Sequence, residues 1–297
     1  MKPAPFEYCC PDTVDEAVTL LASMADAKVM AGGQSLVPMM NFRVVRPDLV
    51  VDISRLLELD FLRPRDDGGL TVGALTRHRI LETSPLVLSR FPIVPETMRH
   101  VAHLAIRNRG TIGGSLSHAD PAAELPMLAV LLDAVIVTYS VRGERQIPAR
   151  EFFVSALTTV LTEDELVIRI EFPGLPRGMV GAFDEASRRP GDFAMAAVGV
   201  LLAQEHGVVT QARVAMMGVG ETPLRSTSAE EMLMGHAPSA ERIALVTKIA
   251  CSELSPKTDL HASSDFRRHL AGVVMSRVIF TAWQRATRAL EKVSGNE

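Results

Sequence analysis

The feature that most constrains this chain is a pair of glycine turns, each placed where a regular element stops. The first turn, Gly32-Gly33, follows a predicted strand–helix–strand sequence. The helix is expected to begin near Val14, because Thr13 followed three residues later by Glu16 is typical of a capping box. The elements before the turn are predicted as a strand at 6–10, a helix at 14–24 and a strand at 28–30. This order indicates a mixed α and β region.

The second turn, Gly113-Gly114, is flanked by Thr111 and Ser115 and is followed by a predicted helix over 121–132. Glycines let backbone amides approach an anion closely, because no Cβ intervenes and positive φ is allowed. The candidate phosphate-binding residues are Ala31, Gly32, Gly33, Gln34, Ser35 and Leu36 in the first turn, and Thr111, Ile112, Gly113, Gly114 and Ser115 in the second. Taken alone, the first turn is more typical of a plain connection, whereas the second is denser in polar residues than a connection requires.

The rest of the chain divides at a proline- and glycine-rich break over 173–178. Before it, we predict a hairpin through 66–69, helices over 76–82 and 94–104, and strands over 135–139 and 166–172. After it, we predict strands over 180–186, 194–204 and 208–219, then helices over 229–234, 240–254 and 264–290. Strands followed by helices indicate an α+β module. The predicted domains are 1–176, with subdomains of about 1–57 and 58–176, and 177–297.

Composition excludes several classes of function. A net charge of −4, with basic residues scattered among acids, gives no surface suited to nucleic acid. The longest apolar runs, such as 194–203, are too short to span a bilayer, and no secretory signal is evident, so a cytoplasmic protein is expected. Cys9, Cys10 and Cys251 are too few for an iron–sulfur site, so any cluster belongs to another chain. No Walker, Rossmann, metalloprotease or nucleophile-elbow motif occurs.

Several motifs together resemble one family over almost the whole chain. They are the first turn extended to Met40, the segment 107–115, the segment 118–126, and the C-terminal segments 187–194 and 267–271. This combination is similar to the FAD-binding signatures of the molybdopterin dehydrogenase flavin family. Its members include the medium subunit of aerobic carbon monoxide dehydrogenase and the FAD domain of xanthine dehydrogenase.

The resemblance implies a two-subdomain FAD-binding fold of the vanillyl-alcohol oxidase type, followed by a C-terminal α+β domain with a three-stranded antiparallel sheet and helices. It places the pyrophosphate and ribityl portions of FAD on the two glycine turns, with Ala119, Asp120 and Glu124 in the neighbouring loop. Val167 matches the position of an apolar residue that contacts the flavin in xanthine dehydrogenases. Asp184 stands where xanthine dehydrogenases have a lysine near the flavin, and an acid there is expected to disfavour a reduced anionic flavin.

The resemblance also implies an oxidoreductase subunit without catalytic residues or metal ligands of its own, because the cofactor supplies the redox chemistry. Electrons are expected to pass from iron–sulfur clusters on a small two-iron, two-sulfur subunit through FAD to an external acceptor. A large molybdopterin subunit completes the expected complex, a dimer of heterotrimers, and chooses the substrate. Arg188 and Arg189 fit equally a place near the flavin or a solvated surface.

Two other hypotheses remain open from the residues. One is a stand-alone flavin oxidase or dehydrogenase with its own substrate site, although the chain has a single tryptophan and two tyrosines to line such a pocket. The other is an interaction protein whose glycine loops are mere turns. Co-purifying chains and a bound yellow cofactor distinguish these hypotheses.

Overall fold

The computed structural model describes residues 1–294, with side chains up to residue 291. Its amino-terminal part is a small parallel sheet in the order β1-β3-β2. The strands are β1 (Glu7–Cys9), β2 (Ala27–Met30) and β3 (Leu49–Asp52), with helices α1 (Val14–Ser23) and α2 (Leu36–Asn41). Met30 pairs with Asp52 at the carboxyl edge of the sheet. Ligands of open parallel sheets bind beyond this edge, and the first glycine turn follows it directly.

The capping box predicted for α1 is confirmed. Thr13 Oγ1 accepts a hydrogen bond of 3.1 Å from the amide of Glu16. The helix turns Ala17, Val18 and Leu21 toward the sheet and buries them. This buried stripe fixes α1 against the sheet and leaves the carboxyl edge of the strands open.

The second part is a five-stranded antiparallel sheet in the order β4-β5-β10-β6-β7, with short helices packed around it. The strands are β4 (Leu62–Pro64), β5 (Leu70–Gly73), β6 (Val135–Ser140), β7 (Gly143–Pro148) and β10 (Leu166–Phe172); a separate hairpin joins β8 (Phe153–Ser155) to β9 (Thr158–Thr159). The helices are α3 (His78–Thr83), α4 (Pro85–Arg90), α5 (Ile93–Met98), α6 (Leu104–Arg107), α7 (Ile112–His118), α8 (Glu124–Leu131) and α9 (Ala149–Phe152), and a 3₁₀ turn spans Leu57–Leu59. The predicted hairpin through 66–69 is confirmed by the pairing of β4 with β5.

The single helix predicted over 94–104 is wrong. The chain forms α5 and α6 instead, separated by a break in which Ala102 has a left-handed φ of 42°. Arg107 Nη1 donates to the carbonyls of Val101 and Ala102 at 2.8 and 3.0 Å, so the side chain satisfies groups that a continuous helix would have bonded internally.

The carboxyl-terminal part is an antiparallel sheet backed by three helices. The strands are β11 (Val180–Ala186), β12 (Ala196–Glu205), β13 (Val208–Met217) and β14 (Leu224–Arg225), and the helices are α10 (Thr227–Leu233), α11 (Ala240–Ser252) and α12 (Ser264–Ser294). The three predicted strands are present, but a fourth adds to them: Leu224 and Arg225 pair with Met216 and Ala215. Two residues are too few to show the alternation from which a strand is predicted.

The two faces of this second sheet pack against different partners. Phe183 and Leu201 point into the apolar core built by the helices of the first domain. Val200 and Met216 point to the other face, into a core shared with α11 and α12. Strand β12 approaches helix α8 closely at Gly199, where a Cβ would lie 2.8 Å from a methyl carbon of Leu131. The apolar core therefore continues past the predicted division at residue 176, which lies in the loop between β10 and β11 and stays a prediction.

Within residues 1–294, no helix has both the length and the apolar character required to cross a bilayer. The last three residues of the predicted second domain lie outside the described residues.

Candidate functional site

The two glycine turns, far apart in the sequence, lie close together in the structure. A Cβ built on Gly32 would lie 2.2 Å from the carbonyl oxygen of Arg109 and 3.0 Å from Cα of Gly110. Real Cβ atoms do not approach a backbone oxygen so closely, so only glycine permits this contact. The first turn is thereby seated against the segment that leads into the second.

The first turn leaves its backbone donors free. Gly33 adopts a φ of +71°, which turns the chain away from β2. Among the described residues, no acceptor bonds the amides of Gly32, Gly33 or Gln34. Gln34 was expected to supply side-chain donors to a phosphate, and the structure uses Nε2 to brace the turn, at 2.9 Å from the carbonyl of Gly32. Ser35 is exposed at the start of α2. This turn is a set of unpaired amides at the edge of the parallel sheet, which suits an anionic ligand.

A cleft of about 400 Å³ opens beside this turn. It is lined by Met30, Ala31, Gly32, Gly33, Gln34, Val37, Pro38, Asp52, Ser54 and Arg109. The lining includes the first turn, the end of β3, and an arginine that precedes the second turn. A cleft of this size is typical of sites for small molecules and cofactors.

The acid in the cleft is held in place by two donors. Tyr8 Oη donates to Asp52 Oδ2 at 2.6 Å, and the amide of Ser54 donates to Oδ1 at 2.9 Å. Burial by itself would raise the pKa of Asp52, but these hydrogen bonds outweigh it and keep the pKa below its usual range. The same bond raises the pKa of Tyr8 to about 12. Asp52 was not predicted as a site residue. Its position at the end of β3, beside the residue that precedes the first turn, could have identified it.

The second turn is built differently, because its glycines lie in the first turn of helix α7. Thr111 Oγ1 caps that helix by accepting from the amide of Gly114 at 3.2 Å. The amides of Ile112 and Gly113 donate to the carbonyls of Thr76 and Ala74 at 3.1 and 2.9 Å. The nest of free amides expected here is therefore replaced by a capped helix. Two groups of this turn remain available to a ligand. Gly114 is exposed, and the hydroxyl of Ser115 bonds to no described residue.

A buried histidine supports this second turn. His78 Nε2 lies 3.0 Å from the carbonyl of Thr111, and the amide of His78 donates to Gly110 at 2.9 Å. Burial lowers the pKa of His78 to about 4, so the imidazole is neutral near pH 7 and can donate to that carbonyl. His78 was not singled out in the sequence, because a lone histidine in a predicted helix carries no signal.

The loop after α7 is tightly folded. Ala119 ends the helix with a φ of 51°, and Asp120 Oδ1 accepts from the amide of Ala122 at 2.8 Å. The carbonyl of Pro121 accepts from Gly218 at 2.9 Å, which ties the loop to the carboxyl-terminal domain. Glu124 then begins α8 as a buried acid. Burial, followed by the charge of Glu185, raises the pKa of Glu124 to about 8.

Val167 and Asp184 lie on strands β10 and β11. Val167 is buried in the core, whereas its neighbour Ile168 faces the opposite way and packs against the cluster that includes Ala31. Asp184 pairs with Arg277 on α12 at 2.9 Å, so the negative charge expected to oppose a reduced flavin is offset by an arginine. The next residue, Glu185, faces the first domain, where it meets His100 at 3.4 Å. Alternation along β11 predicts opposite faces for these two acids but not which face meets the first domain. Arg188 and Arg189 are exposed.

Comparison with known proteins places both halves of the chain. Residues 4–175 match the FAD binding domain in molybdopterin dehydrogenase, and residues 181–282 match the CO dehydrogenase flavoprotein C-terminal domain. The chain is 41% identical over 295 residues to the 6-hydroxypseudooxynicotine dehydrogenase complex subunit alpha of Paenarthrobacter nicotinovorans, covering 99% of each chain.

Two solved structures superimpose closely on this fold. A chain of carbon monoxide dehydrogenase from Hydrogenophaga pseudoflava matches with a TM-score of 0.93 and 36% identity, over 96% of this chain and 99% of that one. A chain of quinoline 2-oxidoreductase from Pseudomonas putida 86 matches with a TM-score of 0.93 and 37% identity, over the same shares. The chain therefore belongs to the family of FAD-binding oxidoreductase subunits of the carbon monoxide dehydrogenase and xanthine dehydrogenase type.

Proposed function

We propose that this chain is the FAD-carrying electron-transfer subunit of a heteromeric molybdenum hydroxylase. In this role it passes electrons from iron–sulfur clusters on a partner subunit, through FAD, to an external acceptor. The observation that carries the proposal is the contact of the first glycine turn with the segment that leads into the second, beside a cleft lined by free backbone amides. Bound FAD supplies the redox chemistry, and the protein supplies its position and surroundings.

The residues of the two turns fit a bound dinucleotide in complementary ways. The free amides of Gly32, Gly33 and Gln34 suit pyrophosphate oxygens, since no protein acceptor competes for them. On the other side, Gly114 offers an edge without a side chain and Ser115 an unpaired hydroxyl. We assign the pyrophosphate and ribityl portions to residues 31–36 and 111–115. Ala119, Asp120 and Glu124 would form the neighbouring wall.

Val167 and Asp184 take a less direct part in this proposal. Val167 lies in the apolar core, and the neighbouring Ile168 packs on the other side, against the apolar cluster that includes Ala17 and Val51. Asp184 is held by Arg277, so it adds little net charge near the cofactor. Glu185 is the acid of β11 that faces the FAD-binding domain.

The cysteines agree with a division of labour between chains. Cys9, Cys10 and Cys251 are free, and within the described residues no group of three histidine, cysteine or acidic side chains is arranged to hold a metal. We assign the proposed iron–sulfur clusters to a small two-iron, two-sulfur subunit. A large molybdopterin subunit completes the proposed cytoplasmic complex, as a dimer of heterotrimers.

Purification through a tag on this chain from its native source tests the proposal. We expect a yellow-brown complex of three kinds of chain, FAD released on denaturation, and both flavin and iron–sulfur absorption. A yellow protein that purifies alone and is reduced by a small substrate would instead indicate a self-sufficient flavin enzyme. A colourless chain that does not bind added FAD would contradict both functions.

A further inference from the structure

A buried group of ionisable side chains lies where the two domains meet. Glu185 is on β11, His100 follows α5, and Glu124 begins α8. We call these three residues the seam cluster. His100 Nδ1 lies 3.4 Å from Glu185 Oε1, and the side chains of Glu185 and His100 are 3% and 36% exposed. The cluster therefore extends from a buried carboxyl group to an imidazole that reaches solvent.

One oxygen of the cluster is buried without a partner. Glu185 Oε2 makes no hydrogen bond to any described residue. A buried carboxyl oxygen without a donor costs free energy, because neither water nor a protein group replaces its hydration. Glu124 is buried close enough for the charges of the two acids to interact. Burial, followed by the charge of Glu185, raises the pKa of Glu124 to about 8, so Glu124 keeps its proton near neutral pH.

The surrounding charges favour proton uptake. The negative charge of Asp184 on β11 raises the pKa of His100. The negative charge of Asp120 in the preceding loop raises the pKa of Glu124. Arg277 on α12 is paired with Asp184 and reduces that contribution. The pKa of His100 is raised, chiefly by its bond to Glu185 and against the effect of burial. The cluster thus sits in a negative environment with an imidazole as its contact with solvent.

We propose that the seam cluster is a proton reservoir of the flavin site, which gains one proton from solvent when the neighbouring flavin is reduced. This inference rests on the proposed function, because it requires the flavin beside the start of α8. A negative charge arriving near buried acids raises their pKa values and draws in a proton. The seam residues act by their charge and need not touch the reacting atoms, so they are positioning residues.

Two electrons come from a one-electron donor, which is dithionite in the test and an iron–sulfur centre in the proposed complex. One proton accompanies them to the flavin, which becomes an anion, and a second proton from solvent goes to the seam cluster. The site as a whole gains two electrons and two protons.

The pairing within the cluster is tested first on the full-length chain without cofactor. The imidazole of His100 is titrated by NMR in the wild type and in Glu185→Gln. We expect the titration midpoint of His100 to move to lower pH in the variant, since the carboxylate that favours its charged form is gone. Glu205→Gln, which removes an exposed acid at the far end of the same sheet, is expected to leave the midpoint unchanged. An unmoved midpoint in Glu185→Gln would overturn the proposed cluster.

The coupling to the flavin is tested by the pH dependence of its reduction potential, followed by absorption during dithionite titration. One additional proton per two electrons changes the equilibrium about tenfold per pH unit, which corresponds to about 30 mV per pH unit. We expect the wild type and Glu205→Gln to show this additional slope and Glu185→Gln to lose it. His100→Gln provides the same test if Glu185→Gln fails to fold.

Equal slopes in the wild type and the folded seam variants would overturn the reservoir while leaving the proposed function intact. Failure of the wild-type chain to bind FAD would refute the proposed function and the coupling together. In that case the titration of His100 still reports on the pairing of the seam residues.

Discussion

The two glycine turns show how similar sequences produce different surfaces. The first, at Gly32-Gly33, is an irregular turn whose amides are free and whose seat is a backbone contact with Arg109. The second, at Gly113-Gly114, is the first turn of a helix whose amides are bonded within the protein and which a buried histidine supports.

The difference predicts that the first turn acts mainly in ligand binding and the second mainly in stabilising the domain. Free amides at the first turn are available to a ligand, so changes there should alter FAD affinity more than stability. Bonded amides at the second turn belong to the packing of the domain, so changes there should alter stability more than affinity. Four substitutions test this comparison.

Gly32→Ala is expected to have the largest effect. Its Cβ would meet the carbonyl of Arg109 at 2.2 Å, so the turns must separate and the amides lose their arrangement. We expect FAD affinity to fall by about 100-fold, or roughly 2.7 kcal/mol. Fluorescence titration of the cofactor-free protein measures it. Gly220→Ala is the matched control, because its Cβ would lie 3.6 Å from the nearest atom, an ordinary contact. Equal affinities for both variants would contradict the proposed role of the first turn.

Gly113→Ala should act mainly on stability. A Cβ there would lie 2.7 Å from Cβ of Ala74 and 2.9 Å from its carbonyl oxygen, inside a packed region. Overpacking of this kind typically destabilises by about 2 kcal/mol. Urea unfolding of the cofactor-free chain measures the loss. If the variant kept full stability but lost FAD binding, the distinction between the two turns would be wrong.

His78→Gln should remove a pH dependence. The pKa of His78 is about 4 in the folded chain, below the usual 6.5, so the unfolded chain binds more protons in acid. Its stability contribution is present above pH 6.5 and is lost as the pH falls toward 4, by about 1.4 kcal/mol per pH unit. Glu124 acts in the opposite sense between pH 4.5 and 8, because its folded pKa is raised.

The difference between the wild type and His78→Gln cancels the contribution of Glu124 and isolates the histidine. Urea unfolding at several pH values between 4 and 7 gives this difference. His269→Gln, an exposed histidine on α12, serves as the control. A difference that does not vary with pH would show that His78 is not kept neutral by burial.

Gln34→Ala should have the smallest effect. It removes the 2.9 Å bond that braces the first turn, and a single hydrogen bond of this kind contributes about 1 kcal/mol. We expect FAD affinity to fall about fivefold with unfolding unchanged. Gln146→Ala on the exposed face of β7 is the control. A larger effect on unfolding than on affinity would mean that the first turn is also structural.

Local patterns predicted much of the fold. The strands of the carboxyl-terminal sheet and helix α1 follow from apolar periodicity and a capping box, both of which are local. Helix α7 was missed because two consecutive glycines weaken any helix prediction, and tertiary contacts such as that between Gly113 and Ala74 add to its local cap at Thr111. The contact of Gly32 with Arg109 depends on how the subdomains pack, which no local pattern contains.

The same limit applies to the site. Glycine, serine and threonine at the two turns were identified as candidates, because their chemistry suits phosphate. Asp52, His78 and Glu185 were not, since each matters through a partner distant in the chain: Tyr8, Thr111 and His100, respectively. Asp184 was named from a matching position, which identifies a residue but does not show which way the side chains of β11 point.

The carboxyl-terminal sheet contributes one face to the core of the FAD-binding domain. A chimaera that joined the first domain of one relative to the second domain of another would have to match side chains such as Leu131 and Leu201 across the junction. Exchange of whole subunits between enzymes avoids this requirement. We therefore expect recombination between relatives to exchange the whole chain and not one of its two domains.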